Sequence, residues 1–194
     1  MKFTTTTLAL ASSALISATP CAPTPSTNPA PGDIFRIMSI RSGSDIQYGS
    51  VQASTRGFRI NAPSQNASCS SDVNYASFYL TEAGDLYLNT DNPPQQAFVD
   101  RSGMGQGVIQ YTTGVQGIGR NQERGPFKVD DDSNLVFVSA NGDTTGFQAC
   151  PNAAGGGYSV WLAGATNPGG NSNCVGFIAR ALKEESPVKC MYSQ

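Results

Sequence analysis

Asp130-Asp131-Asp132-Ser133-Asn134-Leu135-Val136-Phe137-Val138 sets a run of polar turn formers directly before a strand with two apolar faces. Strand side chains alternate, so Leu135 and Phe137 share one face and Val136 and Val138 the other. A strand apolar on both sides belongs between neighbours, and this stretch therefore predicts a central strand entered through a tight turn. Glu82-Ala83-Gly84-Asp85-Leu86-Tyr87-Leu88 echoes it, with Leu86 and Leu88 on one face. The offset of about 49 residues marks a weak pseudo-repeat.

Working outward, runs rich in β-branched and aromatic residues recur at 34–40, 46–51, 57–60, 76–81, 85–89 and 96–100. They continue at 108–112, 134–139, 158–163, 175–180 and 188–192, with Gly, Pro, Asn and Asp between them. Only Ala181–Glu185 reads as helix, a single turn. About eleven short antiparallel strands predict one all-β domain over residues 33–194. A sandwich or a closed barrel fits, with a trefoil-like fold as the alternative.

Composition excludes several chemistries. The 194 residues include 12 Lys+Arg, 14 Asp+Glu and no His, for a formal charge of −2. Without His there is no Ser-His-Asp triad, Cys-His pair or His-metal site. The weak negative balance leaves no basic footprint for nucleic acid. Scattered cations give no attraction to anionic lipid. Charged residues make up 13% of the chain, about half the usual share. Hydration of uncharged polar groups keeps such a chain in solution, as in secreted or wall-associated domains.

The amino end reads as an export signal over residues 1–18: Lys2, then the apolar or small run Leu8–Ala18. That run is too short to span a bilayer, and no later stretch is long enough. The cut is expected after Ala18, with Ala22 as the alternative. Residues 19–32 carry Pro20, Pro23, Pro25, Pro29 and Pro31 and read as an extended, disordered lead-in. The polar carboxy tail lacks a lipid-anchor signal.

Cysteine usage agrees with export. Cys21 lies beside the cleavage region and is lost or left as an odd thiol. Cys69, Cys150, Cys174 and Cys190 form an even set, expected as two disulfides. Of three connectivities, Cys69–Cys150 with Cys174–Cys190 is preferred, because the second bond ties down the tail. No CxxC pair points to metal. Asn66-Ala67-Ser68 is a sequon, making Asn66 a candidate glycan acceptor.

Candidate ligand contacts fall in three places. Asp130, Asp132 and Asn134 have the spacing of a calcium loop, but Leu135 and Asn141 occupy the Gly and Glu positions of an EF-hand, so a solvated turn is the better reading. The same stretch partly resembles the mannose site of bulb-type lectins, matching at Asp132, Asn134 and Val136. Trp161 projects with Ser159 and Ala163, while Val160 and Leu162 share the other face and Tyr158 is set opposite them. A core role is the default for Trp161, with sugar stacking as the alternative. Asn167-Pro168-Gly169-Gly170-Asn171 is a turn with free amides suited to sugar hydroxyls or to a hairpin end. Ser102-Gly103-Met104-Gly105-Gln106-Gly107 permits positive φ at three glycines, which suits a bulged turn, with close approach of a ligand to the backbone as the alternative. It is no P-loop, since no Gly-Lys-Ser/Thr follows. Asp100 and Arg101 are expected to pair as ions. No cofactor and no catalytic pair stands out.

Gln96-Ala97-Phe98-Val99-Asp100-Arg101-Ser102-Gly103-Met104-Gly105-Gln106-Gly107-Val108, with Tyr111-Thr112-Thr113-Gly114, resembles the fungal phialide cell-wall protein family, PhiA. The likeness runs on through Ala149-Cys150-Pro151, Tyr158–Trp161, Asn167–Asn171, Cys174–Phe177 and Pro187–Gln194. It implies a secreted fungal wall protein linked to the development of spore-bearing cells, with some members described as allergens. It carries no catalytic residues, and its four cysteines match those here. The favoured reading is thus a non-catalytic wall protein partnered with glucan, chitin or mannan. A secreted carboxylate-dependent glycoside hydrolase and an effector binding a host protein are the alternatives.

Overall fold

The computed structural model describes Met1 and residues 28–194, so the export signal, Cys21 and most of the Pro-rich lead-in lie outside the described residues. The strands are β1 (Phe35–Ile40), β2 (Val51–Ser54), β3 (Gly57–Ile60), β4 (Ser68–Cys69), β5 (Ser77–Leu80), β6 (Leu86–Leu88), β7 (Gln95–Asp100) and β8 (Val108–Thr113). They continue as β9 (Gln122–Glu123), β10 (Phe127–Val129), β11 (Asn134–Val138), β12 (Thr144–Thr145), β13 (Phe147–Cys150), β14 (Tyr158–Leu162), β15 (Val175–Lys183) and β16 (Cys190–Met191). Nine of them close an antiparallel ring in the order β1-β5-β6-β7-β8-β3-β14-β13-β15. β15 pairs back to β1 from Phe35↔Lys183 to Ile40↔Ile178. The fold is therefore the closed barrel, not the sandwich or the trefoil. Closure removes the unpaired edges that an open sheet would expose.

Alternation decides what fills the barrel. Phe35 and Ile37 of β1, Phe78 and Leu80 of β5, and Leu86 and Leu88 of β6 all point inward and are buried. Aromatic rings link the walls: Phe35–Phe78 at 6.2 Å, Phe78–Phe58 at 5.6 Å and Phe58–Tyr111 at 5.5 Å. Each such ring contributes about 1.5–3 kcal/mol by burial. An interior void of about 20 Å³ remains, lined by apolar side chains such as Ile37, Phe58, Phe147 and Phe177. A water needs two or more polar partners, so this void is dry and too small for a ligand.

Both ends are sealed. At the end where β5 finishes, the β10–β11 hairpin leaves β15 and crosses to the β5–β6 turn. Phe127 N–H donates to the Gly84 carbonyl at 2.8 Å, and Phe127 packs edge-on against Phe137. At the end where β5 begins, the carboxy tail enters. Gln95 is fully buried and grips Tyr192 as a strand would: its Nε2 donates to the Tyr192 carbonyl at 2.9 Å, and its Oε1 accepts the Tyr192 N–H at 3.0 Å. The Tyr192 hydroxyl accepts the Ser77 N–H at 3.1 Å.

β11 is flanked on both edges as its sequence predicts, by β10 on one side and by β15 and β12 on the other. Its outward Val136 and Val138 are only half-buried. The pseudo-repeat is a repeated turn. In 81–85, 130–134 and 139–143 the first residue's N–H donates to the fifth carbonyl, and the fourth N–H to the first carbonyl. The fourth residue is left-handed each time: Gly84, Ser133 and Gly142.

Several expectations are corrected. Of the expected 46–51 strand, residues 46–49 are a turn, with Gly49 N–H donating to the Ile46 carbonyl and Tyr48 at φ 62°. The strand begins only at Val51. Ala181–Lys183 extends β15 instead of forming a helical turn, because Phe35 and Arg36 offer it a ladder and its Ala181 is buried. Residues 28–32 are docked, not loose: Asn28 Nδ2 donates to the Asp131 carbonyl, and Gly32 N–H to that of Leu80. The disulfides are Cys69–Cys190 and Cys150–Cys174, with Cα separations of 4.0 and 4.1 Å. The expected Cys69–Cys150 and Cys174–Cys190 pairing is wrong for a topological reason. β13 lies beside β15, with Ala149↔Val175 in register, which sets Cys150 opposite Cys174. The tail folds back as β16, which sets Cys190 opposite Cys69.

Candidate functional site

The two glycine-rich strings meet at the hairpin-sealed end of the barrel. Asp100, the last residue of β7, organises the first. Its carboxylate accepts the Ser102 N–H at 2.9 Å and Gln122 Nε2 at 2.8 Å. Burial alone pushes this carboxyl up, but the hydrogen bonds from Ser102 and Gln122 outweigh it and hold it below the ordinary Asp value. Arg101 does not pair with Asp100. Its Nε lies 3.7 Å from Glu123.

Glycine is needed here for close approach more than for φ. A Cβ on Gly105 would fall 2.2 Å from the Asp100 carboxyl carbon. The left-handed residues are Gln106 (φ 50°) and Gly107 (φ 93°), not all three glycines. Gly107 then hands its carbonyl to the Leu162 N–H at 2.8 Å, joining the loop to β14.

Gln106 ties the second string to the first. Its Oε1 accepts the Gly169 N–H at 2.7 Å, and its Nε2 donates to the Gly103 carbonyl at 3.2 Å. The Asn167–Asn171 turn is thereby clamped over Trp161. A Cβ on Gly169, which lies at φ 60°, would come 2.7 Å from Trp161 Cη2. Trp161 points away from the barrel interior yet is only 8% exposed, and its Nε1 donates to Ser159 Oγ at 2.8 Å. Its ring supports the loops and offers no open face to a sugar.

Beside these loops lies an open groove of about 540 Å³, lined among others by Arg101, Ser102, Gln106, Thr145, Ala163 and Thr166. It presents a guanidinium, hydroxyls, a carboxamide and small side chains, a set that matches sugar hydroxyls better than apolar or strongly charged ligands. The structure thus gathers Trp161, Asn167 and Asn171 from the sequence candidates at the groove's support. Asn167 is exposed, and Asn171 Nδ2 donates back to the Pro168 carbonyl at 2.8 Å. Tyr158 sits at the other end of β14, its hydroxyl 3.4 Å from Asp45 Oδ2. By strand parity Tyr158 shares the face of Val160 and Leu162, not the opposite one. It packs partly buried against the core.

Asp132 and Asn134 stand apart, at the end of β11 remote from Thr145. Asp130 Oδ1 accepts both their N–H groups, at 3.0 and 2.7 Å, so the acidic run caps its own turn. Among the described residues no group of three His, Cys, Asp or Glu is arranged to hold a metal. Ser102 and Gln106 belong to the glycine-rich loop that the sequence marks, whereas Arg101, Thr145 and Thr166 carry no local signal that would place them in the groove. Glu184 is a different kind of carboxyl. Burial raises it above the usual Glu value, while the Ser77 hydroxyl bonds both its oxygens at 3.1 Å. Asn66 is exposed at φ 50° near the tail-sealed end.

These features define a disulfide-stabilised, closed antiparallel β-barrel with no interior room for a ligand. The chain belongs to the PhiA-like secreted protein family, whose profile matches residues 35–193. The "Cell wall protein phiA" of Emericella nidulans is 43% identical over 192 residues, 97% of this chain and 98% of that one. Its Aspergillus fumigatus namesake is 43% identical over 163 residues, 82% and 85% of the two chains. That of Aspergillus niger is 37% identical over 181 residues, 92% and 96%. No solved structure gives a significant match. The protein is thus a secreted cell-wall protein. Among its described residues no helix is long and apolar enough to cross a membrane.

Proposed function

We propose that this protein is a non-catalytic component of the fungal wall that associates with wall polysaccharide through the groove between the 101–107 loop and residues 162–166. The observation that carries this reading is the clamp of Gln106 on Gly169 over Trp161. It holds polar loops rigidly open to solvent beside a barrel with no room inside. Preorganised loops lose little entropy on binding a sugar chain. The family likeness extends the reading to walls of spore-bearing cells and to recognition as an allergen.

The test is co-sedimentation of the oxidised mature protein with separate insoluble chitin, β-glucan and mannan. Depletion by one of them without sugar release supports the proposal, and Arg101→Ala with Gln106→Ala is expected to weaken it several-fold. Depletion by none, or retention unaffected by the double variant, overturns it. Loss of phialide or conidium formation on gene deletion tests the developmental reading, and binding of patient IgE tests the allergenic one.

A further inference from the structure

Asn66 lies three residues before Cys69, and Cys69 pairs with Cys190 at a sequence separation of 121. We infer that Asn66 carries an N-linked oligosaccharide, added while the chain is still being translocated and before the Cys69–Cys190 bond can form. A sequon is a weak signal by itself. The disulfide topology and the local geometry make it specific.

In the folded protein the acceptor segment is locked. Gln65 is buried, its N–H donating to Asn74 Oδ1 at 2.9 Å and its Nε2 to the Val73 carbonyl at 3.0 Å. The Asn66 N–H donates to Ser64 Oγ at 3.0 Å. Ser68 is held in β4 opposite Met191. Glycan transfer needs the Asn and the hydroxyl residue two positions on to adopt an extended, accessible form. The folded segment cannot supply this without breaking the β4–β16 pair. That pair does not exist until residues 190–191 have been made. Synthesis at about 5–20 residues per second leaves on the order of 10 s between the sequon and its strand partner. Cys69 has no native partner in that interval, so the native Cys69–Cys190 bond cannot lock the acceptor segment first.

The folded state also accommodates the product. The Asn66 side chain is exposed, and its carboxamide makes no hydrogen bond among the described residues. In the transfer, Nδ2 forms a bond to the anomeric carbon of a lipid-pyrophosphate-linked oligosaccharide. The anomeric C–O bond breaks, the lipid pyrophosphate leaves, and one Nδ2 proton passes to the transferase.

The test uses the full chain secreted from a eukaryotic host. Intact mass with and without peptide-N-glycosidase is expected to show near-complete occupancy in the wild type and none in Asn66→Gln or Ser68→Ala. The second substitution leaves Asn66 in place if the first impairs folding. A wild type whose mass does not change on enzyme treatment overturns the site. Pulse labelling with thiol alkylation tests the order of events. Glycosylated chains with Cys69 and Cys190 still alkylatable are expected first, and disulfide-bonded, unglycosylated chains that later gain the glycan overturn it.

Discussion

Replacing both Cys69 and Cys190 by Ser removes the cross-link that ties the carboxy tail to β4. Its sequence separation is 121 residues, and loop-closure entropy assigns such a bond about 5 kcal/mol at 25 °C. The Cys150–Cys174 bond spans 24 residues and is assigned about 3.5 kcal/mol on the same basis. The two paired-Ser variants should therefore rank in that order, about 1.5 kcal/mol apart. The gap widens if the tail also frays, because Tyr192 is buried under Gln95 and Ser77. Domain stabilities are about 5–15 kcal/mol, so the first variant is expected to be marginal or unfolded at 37 °C. Guanidinium unfolding monitored by Trp161 fluorescence reads both changes. Equal losses, or a larger loss for the Cys150–Cys174 variant, would refute the reasoning. Non-reducing peptide mapping adds a direct check: any peptide linking Cys174 to Cys190 contradicts the topology.

Gly169→Val places a branched side chain at φ 60° and against Trp161 Cη2. A loss of about 1–3 kcal/mol and a red shift of Trp fluorescence are expected, with an unshifted spectrum counting against the clamp. Gln95→Leu strands both the N–H and the carbonyl of Tyr192 in the barrel end. It should cost about 2–4 kcal/mol, measured by thermal unfolding, and faster proteolysis of the tail should accompany it. Burial pushes the Tyr111 hydroxyl up to about 12 and that of Tyr192 higher still, against smaller opposing hydrogen bonds. A phenol held protonated in the fold contributes stability that is complete below about pH 10 and lost as pH rises through its folded value. Melting temperature should therefore fall between pH 10 and 12, and the fall should be shallower in Tyr111→Phe. Glu184 works at the other end of the scale. Burial raises its folded value, so its contribution declines as pH rises above the ordinary Glu range. Glu184→Gln should flatten that decline as pH rises above the ordinary Glu range in a series of thermal melts.

The groove was only partly legible in the sequence. Its two glycine-rich strings stand out as strings, because glycine and Asn-Pro-Gly-Gly mark tight backbone wherever they occur. That Gln106 would reach Gly169, 63 residues on, is not written in either string. Trp161 illustrates the same limit. A packed ring is the default reading of its sequence, and the ring is indeed buried, but parity turns it away from the barrel interior where a core Trp would sit. Only the turn folded back from β14 buries it.

Local chemistry determined what this chain is made of: the alternation of Leu135 and Phe137, the repeated five-residue turns, the even set of cysteines and the absence of His. These follow from near neighbours, whose spacing is set by bond geometry and by the period of the strand. Closure was decided in three dimensions. β13 was overlooked because Gln148 interrupts its apolar run, yet its Nε2 finds the Leu162 and Ala165 carbonyls at 2.9 and 3.1 Å. Ala181–Lys183 has helical composition, yet the ladder offered by Phe35 and Arg36 extends it. Missing β13 meant missing the neighbour that puts Cys150 opposite Cys174, and with it both disulfides. Ring order depends on contacts between residues more than a hundred positions apart, and no local propensity encodes which edge meets which. Burial of the shared core and pairing of the edges of the nine ring strands select the one closed arrangement.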